Sequence, residues 1–304
     1  MSLLQSKPAS LQPEARGYRE LTTHLDTHNG IAWGYMHAAP RPCFTYSLLT
    51  EYVAWFNELA GLIDTQQAPV DYVVIASSVP GVYNLGGDLD LFRRLIGEKD
   101  RESLLGYARA CIEPLYLNAV HLNRPNVKTL TLVQGDALGG GFECALSGNV
   151  LIAERGCKLG FPEILFNLFP GMGALSLLGR RIGHQQAERI ILSGRLYLAE
   201  ELYEMGVVDV LAEPGEGEQA VYDLVRKESR ARNGMLALRA AREISQPVSY
   251  DELMRIAEVW VDAALRLGTK DLRMMERLVA RQTGKGGSAA AGAGLAGQES
   301  LDRG

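Results

Sequence analysis

Twice in this chain a short apolar run breaks into a glycine-rich turn that leads toward a helix. Residues 70–77 (VDYVVIAS) precede Asn84-Leu85-Gly86-Gly87-Asp88, and residues 129–133 (TLTLV) precede Gly135-Asp136-Ala137-Leu138-Gly139-Gly140-Gly141. Runs this short and this rich in Val and Ile suit strands buried on both faces. A third run follows at 150–153. Strands alternating with helical segments predict an α/β fold with parallel pairing and right-handed crossovers. Glycine lets backbone approach a ligand closely and leaves its N–H free to donate. The second turn also points a helix N-terminus, with its partial positive charge, at the same space. Two amides presented this way make an oxyanion hole. Close strand-to-helix packing calls for the same glycines, so the turns alone leave both readings open.

Two glutamates follow in apolar surroundings. Glu143 falls in the first turn of the helix within GGGFECALSG, and Glu163 lies in GFPEILFNLFPG. A carboxylate buried among Phe161, Ile164 and Leu165 has its pKa raised by desolvation, and a second nearby carboxylate raises it further. That is how a glutamate reaches the range useful for proton transfer near neutral pH. Taken singly, Glu143 could equally serve the helix dipole, and Glu163 a cap or an arginine pair.

The rest of the 304 residues frames these segments. Residues 1–18 read as a loose arm. Asn29-Gly30 between two β-prone runs predicts a type I′ hairpin. Helical spacing appears at 47–63, 90–96, 103–122 (with Pro125 as the stop), 142–146, 174–182, 185–192 and 199–205. A last strand is expected at 207–211, then helices at 218–230, 235–244, 250–267 and 270–281. This organises the chain as an α/β core over 19–212 and a C-terminal helical module over 213–283. The Gly/Ala/Ser-rich 284–304 is expected to be disordered.

Composition narrows the functions. Apolar residues at 47% and charged residues at 22% are ordinary for a globular protein. With 31 basic against 36 acidic residues there is no basic excess for nucleic acid. Cys43, Cys111, Cys144 and Cys157 show no C-x-x-C spacing and read as buried free thiols in a reducing cytosol. His24 and His28 are four apart in a β-prone run, about 13 Å if extended, which is no metal-ligand spacing. Gly171-Met172-Gly173 lacks the third glycine of a dinucleotide fingerprint. No P-loop, G-x-S-x-G or H-E-x-x-H motif occurs. No cofactor, no metal and no membrane insertion is expected, and the location is expected to be cytoplasmic.

Taken together, the segments resemble the crotonase (enoyl-CoA hydratase/isomerase) superfamily, most specifically in GDALGGGFECALSGNVLIAERGCKLGFPEILFNLFPGMG. The resemblance implies a ββα spiral core with a C-terminal helical module. It implies oxyanion-hole amides at Gly87 and Gly140, and Glu143 and Glu163 as the catalytic carboxylates of water addition or removal across Cα–Cβ of an acyl thioester. Crotonase relatives commonly assemble as trimers or dimers of trimers, which implies a homo-oligomer.

Further segments, CFTYSLLTEYVAWF, YNLGGDLDLFRRLI, LFNLFPGMGALSLL, Gly206-Val207-Val208-Asp209 and MRIAEVWVDAALRLG, are similar to the diffusible-signal-factor (RpfF-type) synthases, a quorum-sensing branch. That similarity implies dehydration of a 3-hydroxyacyl group on acyl carrier protein (ACP) to a cis-2-enoyl thioester, then hydrolysis to the free acid. It also implies binding of a sensor kinase or receptor. Asp90 stands where CoA-using relatives often place a lysine, which disfavours the CoA phosphates. Leu138, Met172 and Trp260, with Phe166 and Leu168, are candidates for an acyl pocket, core packing being the competing role. Arg93, Arg94, Arg180 and Arg181 are candidate contacts for an acidic carrier protein, or simply a solvated face. The rival readings are an ordinary enoyl-CoA hydratase and a crotonase-fold protein that acts by binding a partner.

Overall fold

Three successive passes of the chain repeat one plan: a strand in a large sheet, a three-residue strand in a small sheet, then helix. A computed structural model describes residues 17–37 and 41–277. The first pass is β3 (Tyr72–Ser77), β4 (Val82–Asn84), α2 (Leu89–Glu98) and α3 (Arg101–Ala119). The second is β5 (Lys128–Val133), β6 (Asp136–Leu138) and α4 (Gly140–Ser147). The third is β7 (Val150–Glu154), β8 (Lys158–Gly160) and a 3-10 turn at Pro162–Phe166. The expected ββα spiral is therefore present.

The hairpin β1 (Leu21–Asp26) and β2 (Ile31–Met36) leads through α1 (Tyr46–Asp64) into the spiral. The spiral continues as α5 (Ala174–Ile182), α6 (His184–Ser193), β9 (Leu196–Leu198), α7 (Ala199–Glu204) and β10 (Val210–Ala212). Next come α8 (Gly217–Ser229), α9 (Arg232–Ser245), α10 (Tyr250–Ala264) and a helix over 269–277.

The large sheet has the order β1-β2-β3-β5-β7-β10, parallel except for β1/β2. The small sheet runs β4-β6-β8-β9, parallel up to the antiparallel β8/β9 pair. All six residues of β3 are buried. Tyr72, Val74 and Ala76 pack toward Val221 and Val225 of α8, while Val73 and Ile75 enter the main core. Burial on both faces explains the unbroken apolar pattern. On the core side α10 and α1 both pack against α3.

Several local expectations are corrected. The stretch 135–141 is not only a turn, because β6 lies inside it. Three residues are too few to show a period of two. The hairpin loop is four residues long, since Asp26 pairs with Ile31, and only Gly30 in it has positive φ (65°). A type I′ turn needs positive φ at both central residues. Here the Asp26 carboxylate instead accepts from the His28 and Asn29 amides (3.0 and 3.1 Å), an Asx-type closure. Helix α3 ends at Ala119, because His121, Leu122 and Asn123 are all left-handed (φ 42°, 59° and 55°). Residues 1–16, most of the expected arm, and 284–304, the expected disordered tail, lie outside the described residues.

Candidate active site

The two glycine turns end side by side. A methyl built on Gly86 would sit 3.1 Å from the Gly140 nitrogen, and one on Gly140 would sit 3.4 Å from the Gly87 nitrogen. At Gly87 a methyl would stand 2.6 Å from the Phe92 ring, and at Gly141 it would overlap the Asn84 carbonyl. Glycine is therefore required at Gly141 for the loops to meet, while at Gly87 it leaves room for the Phe92 ring. The bonds that close the turns use neighbouring amides: Gly86 N–H donates to Asn84 Oδ1 (2.8 Å), and Gly139 N–H donates to the Gly160 carbonyl (2.9 Å). Gly140 opens α4, where N–H groups have no intrahelical acceptor.

Gly87 and Gly140 line one cavity of about 300 Å³. Glu143, Glu163, Leu138, Met172 and Trp260 line it too, so the four candidate catalytic groups and these three acyl-pocket candidates share one space. Phe166 and Leu168 also face it. Trp260 holds both of its candidate positions at once. It is 3% exposed and packs edge-on to Phe92 at 5.0 Å, yet it is part of the wall. Gly171 has no room for a side chain against its indole.

Glu143 is 2% exposed in the first turn of α4. Its Oε1 accepts from the amides of Met172 (2.7 Å) and Ala174 (2.9 Å). Those bonds favour the charged form, but burial outweighs them and pushes the pKa up to about 7. Glu163 sits on the 3-10 turn after β8, its carboxyl so close to Gly139 that a methyl there would overlap Oε1. Its Oε2 is out of solvent and has no hydrogen-bond partner among the described residues. Burial first, and the charge of Glu143 second, push its pKa up to about 8. Of the apolar neighbours expected around it, Phe161 is buried, whereas Leu165 is 55% exposed at the cavity rim.

Much of the wall escaped sequence reasoning. Tyr52 and Phe56 of α1, and Tyr107, Cys111 and Asn118 of α3, all line the cavity. Their helical spacing is that of any core-facing stripe, so no signal separates them from packing residues. Cys111 and Cys144 also border it, but burial raises both thiols (Cys144 to about 11), which keeps them un-ionised.

The surface expectations change more. Arg180 binds Glu252 and the Pro247 and Ser176 carbonyls. Arg181 binds Asp209 and the Val207 and Gly148 carbonyls. Both are internal ties and not free docking cations. Arg93 and Arg94 remain half-exposed or more, beside Glu276 and Glu98. Asp90 pairs with Arg41 at 2.6 Å, and Arg41 also reaches Asp88 at 3.0 Å. One arginine thus faces two carboxylates, and the negative charge expected to repel CoA phosphates is offset only in part. Among the described residues no cluster of His, Cys, Asp or Glu could hold a metal, and no helix is long and apolar enough to cross a membrane.

A parallel spiral with two abutting glycine turns and two buried carboxyls on one cavity is an architecture that known proteins share. The enoyl-CoA hydratase/isomerase family model matches residues 35–255, and the chain belongs to that family. It is 30% identical over 188 residues to the fatty acid oxidation complex subunit alpha of Pseudomonas syringae, covering 62% of this chain and 25% of that protein. The chain thus spans about a quarter of the length of the curated relatives it matches. An enoyl-CoA hydratase/isomerase from Xanthobacter autotrophicus superposes with a TM-score of 0.70 at 20% identity, over 90% of this chain and 97% of that one. Pseudomonas aeruginosa DspI superposes with a TM-score of 0.61 at 22% identity, over 84% and 98%. These likenesses show the fold.

Proposed function

We propose that this enzyme of the enoyl-CoA hydratase/isomerase family is a diffusible-signal-factor synthase. It dehydrates a 3-hydroxyacyl-ACP to the cis-2-enoyl-ACP and then hydrolyses the thioester to a free cis-2-unsaturated fatty acid. The observation that carries the reading is the carboxyl pair: Glu143 and Glu163, with pKa values pushed up to about 7 and about 8, line the same cavity as the Gly87 and Gly140 amides.

The thioester oxygen accepts from the two amides. The Cα–H bond breaks, its proton passes to one carboxylate, and charge moves onto that oxygen. Losing one such donor typically costs on the order of 10²–10³ in rate. The C3–O bond then breaks, and the hydroxyl leaves as water with the proton of the other carboxyl. At neutral pH the pair holds about one proton, as both steps require. For hydrolysis, a carboxylate takes a proton from water as it attacks the same carbonyl. The thiolate leaves and is protonated. The apolar walls, including Met172, Leu138 and Trp260, receive the acyl chain. The reaction belongs in the cytoplasm, with a homo-oligomeric enzyme that also engages a sensor kinase or receptor.

Mass spectrometry of products from 3-hydroxyacyl-ACPs of several lengths tests this. Free cis-2-enoic acid is the expected product, and its absence while enoyl thioester accumulates overturns the synthase reading. A second reading, enoyl-CoA hydratase of fatty-acid metabolism, draws support from the Arg41–Asp90 pair, which relieves part of the charge against CoA. It predicts fast hydration of crotonyl-CoA and no free acid.

A further inference from the structure

Gly87 sits where the segment around Phe44 runs alongside the first glycine turn. Phe44 and Gly87 face each other as a single parallel bridge, and Phe44 N–H donates to the Gly86 carbonyl at 2.8 Å. The next rung of such a ladder would join Asp88 N–H to the Phe44 carbonyl. The Tyr107 hydroxyl from α3 lies between them. It accepts from Asp88 N–H at 3.2 Å and donates to the Phe44 carbonyl at 2.5 Å. Its ring meets Phe92 edge-on at 5.1 Å, and Phe92 is the ring that closes off the Cα of Gly87. On the other side, Asn84 Oδ1 holds Gly86 N–H.

We propose that Tyr107 is a positioning residue: its hydroxyl, inserted between Asp88 and Phe44, sets the direction in which the Gly87 N–H points. The residue is fully buried, so the hydroxyl had to find partners; besides the Cys111 side chain one turn on, the two it found flank that one amide. An amide tied on both sides is preorganised, and a preorganised donor costs no reorganisation as charge develops. This inference rests on the thioester reading above, though not on the choice between synthase and hydratase.

Tyr107→Phe removes the hydroxyl and keeps the ring. Loosening one donor should forfeit part of the effect of losing it, so kcat is expected to fall about 10-fold or more with KM within about twofold. An enolate-mimicking inhibitor should weaken by the same factor as kcat/KM, while a non-reactive thioester analogue should bind as before. Tyr72→Phe is the control. Its hydroxyl also meets a buried partner, Glu228 (3.3 Å), but on the sheet face away from the cavity, and it should leave kcat unchanged. Equal kcat in Tyr107→Phe and wild type, or equal loss for inhibitor and ground-state analogue, overturns the proposal. Should Tyr107→Phe fail to fold, amide hydrogen exchange in the wild type decides. A protected Asp88 N–H supports the tie, and one that exchanges at the rate of a free loop amide refutes it. If the wild type turns over no acyl thioester, the functional reading fails, and the exchange experiment still reports on the tie.

Discussion

The charge on Glu143 helps to hold the proton on Glu163. Burial supplies the larger part of the upward shift of Glu163 to about 8, and the neighbouring carboxylate adds to it. Between about pH 7 and about pH 8 the pair shares about one proton, as the proposed acid and base would need.

Activity should therefore be bell-shaped in pH. Below about 7 both carboxyls become protonated and the base is lost, and above about 8 both ionise and the acid is lost. A kcat/KM profile on a 3-hydroxyacyl thioester checks this, and a flat profile from pH 5 to 9 contradicts it. In Glu143→Gln, carboxyl NMR should find Glu163 titrating below about 8, since one cause of its shift is gone.

The same shifts bear on stability. Both carboxyls bind a proton more tightly folded than unfolded, so stability falls as pH climbs from their ordinary value of 4.5 through about 7 and about 8. Glu163→Gln removes that burden. At pH 8 its Tm should exceed wild type by about 2 °C or more, roughly the shift that 1 kcal/mol produces in a chain of this length, and the gap should close by pH 5. Its dehydration rate should drop about 10²–10⁴-fold, the usual contribution of a general acid or base. Gain in stability with loss of rate is the signature to look for.

Gly140→Ala separates site from scaffold. The new methyl makes an ordinary contact, 3.4 Å from the Gly87 nitrogen, so the fold should survive with Tm within a few degrees. It crowds the ground between the two amides, however, and kcat should fall about 10²-fold or more. Gly87→Ala, whose methyl would lie 2.6 Å from the Phe92 ring, should lose stability as well. Thermal melts with single-turnover rates on both variants make the comparison.

Trp260→Phe tests the acyl wall. The smaller ring opens space beside Gly171 and should shift the preferred chain toward longer acyl groups, at a cost of about 1–3 kcal/mol. Product analysis over a ladder of chain lengths reads the shift. An unchanged profile in a folded variant leaves Trp260 as core alone.

The parts legible in the sequence were those long enough, or odd enough, to leave a signal. β3, β5 and β7 span five or six residues with continuous burial or nearly so, and they stand out as apolar runs. β4, β6 and β8 have three residues each, below the length at which alternation can be seen. Glu143 and Glu163 were conspicuous because charge is rare in such apolar company, and the family resemblance supplied the reason for them to meet. Tyr107 and Asn118 looked like any helix residue, since what distinguishes them is a hydrogen bond to distant backbone or side chain. Arg180 and Arg181 looked like a surface pair, because their partners Glu252 and Asp209 lie far off in the chain.

The coil of strand, short strand and helix stacks its rungs in parallel, with β4, β6 and β8 side by side. Each rung delivers its outgoing connection to the same level: the first brings Gly87, the second Gly140 and Glu143, the third Glu163. The first connection thus brings a glycine amide alone, the third a carboxyl alone, and the second one of each, all to a shared landing. On the proposed reading, the carboxyl side chains can be exchanged while both glycine amides stay, so this architecture can change its reaction without rebuilding its frame.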